Sequence, residues 1–331
     1  MMKNFSYNCF FSTDEAFEGD EIEFTEELIN DNFLPIPWIK SELSTSKWLD
    51  FAEFQSVVSD KSRFSASFFT LKSYSKTRRV WKVKCLKRGC YDFNSILIVA
   101  SDFFGINISS NSVSKENLLK TKLTVLPVPP DYNDDDPHQK NNIGDIFIKN
   151  HIISDPFYIN GVRDYNTTDS FQKINWSATA KEQKLMVNRN DFTTNRNITI
   201  ILNIQSTSYD MIESVFINNT EICIKTCTSL LKAFLDNGIN VRILSNTVFE
   251  NGDTPADIVC TDYMSSLRAL ANLSYKISSV FEKYLEAIIP TINSPEIIII
   301  SPYSNEYISS LQYIFPNIRI IVPDVSGGEF A

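Results

Sequence analysis

The chain is predicted to be multidomain: an all-β sandwich of the Ig-like or a related type, followed by an α/β domain with a mainly parallel sheet. The first part rests on short alternating runs separated by turn residues through the first 128 positions, with hardly any helical period. The second rests on strand-like and helical runs that alternate through residues 197–331. A chain of 331 residues has room for both, since domains usually run about 100 to 200 residues.

In chain order, "DEIEFTEEL" (20–28) sets Ile22 and Phe24 between acids, and "RVWKVKCL" (79–86) alternates Trp81, Val83 and Cys85 with lysines. Both have the period of a half-buried strand. "NSILIVAS" (94–101) is a continuous apolar strand and "KLTVLPV" (122–128) closes the segment. Turn signals separate these runs at Glu18-Gly19-Asp20, Leu34-Pro35-Ile36-Pro37, Arg88-Gly89 and Phe104-Gly105. Residues 129–145, rich in Pro, Asp and Asn, are expected to be a linker, and "IFIKNHII" (146–153) resumes an extended pattern within a segment from 146 to 196 that joins the domains. "NITIILNI" (197–204) has the composition of a strand buried on both faces. Thr220 to Asp236 reads as an amphipathic helix whose stripe is Cys223, Cys227, Leu230, Leu231 and Phe234, stopped by Asn237-Gly238. "INVRILS" (239–245) is the next strand, helical patterns run through "DYMSSLRALANL" (262–273) and "ISSVFEKYLEAI" (277–288), and "EIIIIS", "NEYISSLQYIF" and "IRIIVP" complete the domain as strand, helix and strand.

Composition narrows the function classes. A net charge of −9 disfavours a broad surface for nucleic acid. The basic run "KTRRVWKVKCLKRG" (76–89) reads as one strand with a solvated outer face. The six cysteines contain no CxxC, which suits a reducing compartment. His138 and His151 are the only histidines and neither has a second plausible ligand nearby, so a zinc site or a His-based triad has little material. The nine glycines form no dinucleotide or Walker-type loop. No apolar run reaches the roughly 18 residues of a membrane span, and "MMKNFSYNCFF" lacks the features of a signal peptide.

The most distinctive stretch is "DPFYINGVRDYNTTDSFQKINWSATAKEQKLMVNRNDFTTNRNITIILNIQ" (155–205). Its Gly161, Arg163, Tyr165, Asp169, Ile174, Trp176, Ala178, Thr179 and Ala180 closely resemble the signature of a bacterial family known only as domain of unknown function fifty-eight. "LPIPWI", "KRGCY" and "SDFFG" resemble further landmarks of the same family. The resemblance implies a β-rich region followed by a von Willebrand factor A-like, Rossmann-type domain. It also implies a non-catalytic adaptor or scaffold that works with a MoxR-type AAA+ ATPase at the cytoplasmic face of the membrane. Relatives of this kind commonly carry transmembrane helices ahead of the β region, so an anchor missing from this chain is the favoured expectation and a soluble member the alternative.

Such a domain often holds Mg²⁺ on an Asp-x-Ser-x-Ser turn after its first strand. The corresponding residues here are Asn203, Gln205 and Thr207, with Ser208 beside them, and the carboxylate is gone. Mg²⁺ sheds water reluctantly without negative charge among its ligands, so a degenerate site and metal-independent binding are expected. A metal-dependent adhesion-type binder with substituted ligands, in which Asp253 or Asp257 approaches the rim, is the runner-up.

Two roles compete for the signature itself. In one, Ile174 and Trp176, with Phe171, pack at a domain junction while Arg163 and Asp169 pair or satisfy backbone groups. In the other, Arg163, Tyr165 and Trp176 form an exposed patch of the kind enriched at interfaces. Packing is favoured for Ile174 and Trp176, and Arg163, Asp164 and Tyr165 stay open between the two. "SATAK" is expected to form one short helical turn with Ser177 as its cap. A hydrolase using Asp164 and Asp169 is the least favoured class, because no nucleophile or metal accompanies that pair.

Overall fold

The structure is a computed structural model that describes residues 4–51, 55–59, 62–102, 106, 108–113, 121–130, 159–166, 174–190 and 197–323. The turn at Phe104-Gly105, nearly all of the expected linker, and "IFIKNHII" lie outside the described residues. The chain divides into two compact units: Met1–Val128 together with Leu267–Ser274, and Pro129–Ser266 together with Tyr275–Ala331.

In the first unit, β1 (Phe5–Phe11), β3 (Glu21–Asn30), β8 (Ser75–Cys85) and β5 (Leu49–Phe51) form one antiparallel sheet in that order. A second antiparallel sheet has the order β11 (Ile108–Ser112), β10 (Ser95–Ser101), β4 (Ile36–Ser46), β7 (Ser62–Leu71), β6 (Gln55–Val58). A small sheet of β2 (Glu15–Phe17), β12 (Leu123–Leu126) and β9 (Gly89–Tyr91) completes it. The inward residues of the two larger sheets, among them Phe24, Leu28 and Val83 from one and Ile39, Leu43 and Ile98 from the other, belong to one buried cluster. A shared core between two sheets is what makes this unit a sandwich.

The alternation in β8 plays out as the sequence suggests. Val83 and Cys85 are buried and Trp81 packs against the core, while Lys82 and Lys84 face outward. Those outward lysines sit opposite acids of β3, and Lys82 pairs with Glu21 at 2.8 Å and Lys76 with Glu27 at 3.0 Å. Part of the basic run is therefore locally neutralised. Not every inward position of β3 is apolar: Glu26, fully buried, accepts hydrogen bonds from Tyr7 Oη, Ser67 Oγ and Trp81 Nε1. The Leu267–Ser274 piece is tied in by buried Arg88, which donates to the carbonyls of Leu270, Ala271 and Leu273 where a helix ends. A cation there suits the helix's negative end.

The second unit is built on a sheet ordered β17 (Pro255–Cys260), β16 (Asn240–Phe249), β15 (Asn197–Leu202), β19 (Glu296–Ile300), β20 (Ile318–Ile321), with β18 (Leu273–Ile277) also pairing β16. The central pairs β15–β16, β15–β19 and β19–β20 are parallel and the edge pair β16–β17 is antiparallel. Ile198, Ile200, Ile201 and Leu202 are all buried, which is why β15 reads as an unbroken apolar run: both faces are covered. On one face Ile201, Ile297 and Ile299 pack with α4 (Phe281–Ile288) and α5 (Glu306–Ile314). The helix α2 (Ile217–Asp236) adds nothing to that cluster and packs on β15, β16 and β19 instead, so it covers the other face. Its stripe of Cys223, Cys227, Leu230, Leu231 and Phe234 is buried as expected, and Gly238 at φ +70° ends it by donating to the Leu235 carbonyl.

Two strands depart from the expected pattern. The helical period read through Leu273 stops at Ala271, where α3 (Tyr263–Ala271) gives way to β18. The stretch after Gly252, which is not among the strand or helical runs read from the sequence, becomes β17, whose Ala256, Ile258 and Cys260 alternate inward.

Candidate functional site

Sheet order locates the site. The strand β16 lies on one side of β15 and β19 on the other, so the order reverses at β15, and the crevice beyond its C-terminal end is where open α/β sheets place their ligands. Asn203, the first residue past β15, is fully buried and bridges three strand ends. Its Nδ2 donates to Ser301 Oγ at 2.9 Å beyond β19, and its Oδ1 accepts from Asn246 Nδ2 of β16 at 3.2 Å and from the Gln205 amide at 2.9 Å. Asn246 returns the favour through its Oδ1, which accepts from the Ile204 amide at 2.9 Å. Gln205, also fully buried, accepts the Phe281 amide on Oε1 at 2.9 Å and so caps the start of α4. That N–H can only donate, which fixes the orientation of the side chain and leaves the buried Gln205 Nε2 without a partner.

The next residues turn about a carboxylate that the sequence reasoning missed. Asp210 Oδ2 accepts from the Ser206 amide at 2.8 Å, Ser206 Oγ, the Thr207 amide at 3.2 Å and the Val215 amide at 3.3 Å, while Oδ1 accepts Thr207 Oγ1 at 2.8 Å. Ser206 Oγ in turn accepts the Phe216 amide at 2.9 Å, joining the turn to the head of α2. Burial works to raise the Asp210 pKa, but the hydrogen bonds from Ser206, Thr207 and Val215 together outweigh it and hold the carboxyl below its ordinary range. The far side of the loop is pinned to β18, where Ser214 N–H donates to the Tyr275 carbonyl and Ile277 N–H to the Ile212 carbonyl. Burial, followed by the nearby Glu282 carboxylate, pushes the phenol of Tyr303 up to about 12.

These donors do not fit Mg²⁺. Both lone pairs of Asn203 Oδ1 are used, Gln205 Oε1 is turned to the Phe281 amide, and four donors converge on Asp210 Oδ2. Thr207 Oγ1 is left as one neutral oxygen, and amide hydrogens aimed at a carboxylate oppose a cation in the same place. Among the described residues no group of three or more His, Cys, Asp or Glu side chains could hold a metal. The two acids considered for the rim lie elsewhere. Asp257 is on β17, where it pairs with Arg242 through bonds of 2.8 and 2.6 Å, and Asp253 is exposed in the preceding turn.

The signature residues occupy a separate small assembly. The strand β13 (Ile159–Asp164) carries Gly161, Arg163 and Asp164 and pairs antiparallel with β14 (Met186–Asn190), with α1 (Trp176–Glu182) between them. Ile174 is buried and bridges Val187, in keeping with a packing role. Trp176 is not: it is 68% exposed, which corrects the expectation that it packs at a junction. The physical reason is the helix start, because Asn175 caps α1 by accepting the Ala178 amide at 3.0 Å and the chain leaves strand phase there. The cap is thus Asn175 and not Ser177. Arg163, left open between packing and an exposed patch, is exposed, with its guanidinium on the Asp164 carbonyl at 3.1 Å. Asp164 and Ala180 are exposed and Tyr165 is half-buried. Asp169 and Phe171 lie outside the described residues.

A different set of side chains stands out. Tyr209, Met211, Ile212, Val215 and Phe216 all project from the Asp210 loop, with Tyr209 88% and Ile212 76% exposed. The signal was in the sequence as "YDMIESVF", apolar residues with neither helical nor strand period next to a strand end.

No helix among the described residues is long and apolar enough to cross a membrane. No curated protein matches the chain. Among solved structures, the chain is similar to the CARDB domain of a Pyrococcus furiosus protein at 10% identity, covering 37% of this chain and 91% of that one with a TM-score of 0.24. It is likewise similar to a non-cellulosomal cohesin from Archaeoglobus fulgidus, at 16% identity over 36% and 89% of the two chains, TM-score 0.22. The sporulation control protein Spo0M of Bacillus subtilis is 14% identical over 37% and 49%, TM-score 0.21. Scores this low carry no argument about function. The family match is more specific, since residues 161–279 run from β13 through the strand-end cluster and its loop to β18. Over that segment the chain matches the family described as "Protein of unknown function DUF58".

Proposed function

We propose that this protein is a non-catalytic binding adaptor or scaffold whose docking surface is the loop from Ser206 to Phe216. The observation that carries the reading is the exposed run of Tyr209, Met211, Ile212, Val215 and Phe216 on a loop fixed at both ends. Exposed aromatic, Met and branched side chains held in one conformation are what a protein interface uses, because little ordering entropy remains to be lost on binding. The unit's parallel-centred sheet, with helices on both faces and a loop at its switch point, supports reading it as von Willebrand factor A-like. The Asp210 carboxylate is engaged by five donors in holding the loop and Asp164 is exposed, which supports the non-catalytic reading.

In the finer reading the partner is a MoxR-type AAA+ ATPase at the cytoplasmic face of a bacterial membrane. The test is capture from a native membrane extract with the full chain as bait, alongside Tyr209→Ser with Ile212→Ser and, separately, Arg163→Ala with Tyr165→Ala. Recovery of an AAA+ ATPase by the unaltered chain and the signature variant, with its loss in the loop variant, is expected. Recovery of no ATPase would remove the finer reading, and equal recovery by the loop variant would remove the docking surface.

A further inference from the structure

A divalent cation at a strand end organises loops by gathering oxygens from several of them around one positive charge. Here the polarity is reversed. One buried negative group gathers two hydroxyls and three amides from both arms of the loop, and Ser206 relays that order to the first turn of α2 through the Phe216 amide. The amides of Asn203, Gln205 and Asn246 tie the neighbouring strand ends without any charge.

We propose that Asp210 is the internal organiser of this loop in place of a cation, so that the apolar surface is presented constitutively and divalent ions exert no control over it. The functional half of this statement rests on the docking reading above; the structural half does not. Asp210 is a positioning residue: it touches no partner itself, and it sets the backbone from which Tyr209, Met211 and Ile212 project.

Hydrogen exchange on the full chain, read by mass spectrometry for peptides covering 206–216 and 198–202, tests it without a partner. For the unaltered chain, exchange in 206–216 is expected to stay within about twofold whether EDTA or Mg²⁺ or Mn²⁺ at about 5 mM is present, a level that would load even weak sites. Asp210→Asn, which turns one acceptor oxygen into a donor, should speed exchange in 206–216 about tenfold or more and leave 198–202 protected. Ser206→Ala, which removes a smaller part of the network, should give an intermediate effect, and it decides the matter if Asp210→Asn also exposes 198–202. Slowing of the unaltered loop by either cation would overturn the proposal, as would unchanged exchange in both variants. Should the exchange results hold while loop substitutions leave capture of the ATPase intact, the docking reading fails and the organiser stands.

Discussion

Asn203→Asp restores the carboxylate that a metal-binding turn would need, and so separates the two accounts of the strand ends. Asn203 is fully buried, and its Nδ2 faces Ser301 Oγ at 2.9 Å. An Asp would place a charged oxygen there. Ser301 could turn its hydroxyl to donate, but only by abandoning the Tyr303 carbonyl at 2.6 Å. Oδ1 keeps the Gln205 and Asn246 donors, so the net cost is one lost hydrogen bond plus an incompletely compensated buried charge, about 2–4 kcal/mol. The assay is urea unfolding followed at 222 nm, which reports helices, with and without Mg²⁺. Among the described residues the five α-helices fall between Trp176 and Ile314, so their signal follows the α/β part of the chain. The expected result is the same loss of stability in both conditions. A ligand at a hundredfold its Kd adds about 2.7 kcal/mol, so recovery of more than about 1 kcal/mol with Mg²⁺ would refute the reasoning.

Acid should act on the loop first. Because the folded-state pKa of Asp210 is lowered, its contribution is complete above the unfolded value of about 3.9 and is lost as the pH falls from there toward the folded value; Asp210→Asn should remove that part of the acid dependence of exchange in 206–216. In the sandwich, Glu26→Ala leaves Tyr7, Ser67 and Trp81 without their acceptor, and denaturant unfolding followed by Trp fluorescence should show a loss of about 3–5 kcal/mol. Of the six cysteines only Cys90 is exposed, while burial pushes the Cys85 thiol up to about 11 and Cys9 to about 12. One thiol per native chain should therefore react quickly with Ellman's reagent, and Cys90→Ser should abolish that phase.

Period was legible in the sequence wherever one face or both faces of an element are buried. The alternation of β8 and the stripe of α2 gave the right inward residues, and the solid run of β15 gave the central strand. Where a spacing serves two periods, the reading slipped. Leu273 and Ile277 are four apart, which suits a helix face and a strand face equally, so β18 was absorbed into helical patterns on either side. In β17 the inward alternation of Ala256, Ile258 and Cys260 was present, but Gly252 and Asp253 ahead of it and Pro255 at its first position disfavour a strand. At the site, the positions of Asn203, Gln205 and Thr207 follow from the strand that precedes them. The role of Asp210 does not, because it depends on donors brought back from Val215 after the chain has reversed. Trp176 misled for a related reason: Ile174 and Trp176 are two apart and would share a strand face, yet the Asn175 cap begins a helix between them.

The claim that the strand ends are organised by Asp210 and neutral amides is tested most directly by a crystal grown with Mn²⁺, whose anomalous scattering marks the ion. The account expects no peak near Asn203, Gln205 or Thr207, with Asp210 still accepting from Ser206, Thr207 and Val215. An ion within about 2.0–2.2 Å of Thr207 Oγ1 and the Asp210 carboxylate, at the spacing of a hard divalent cation, would contradict it.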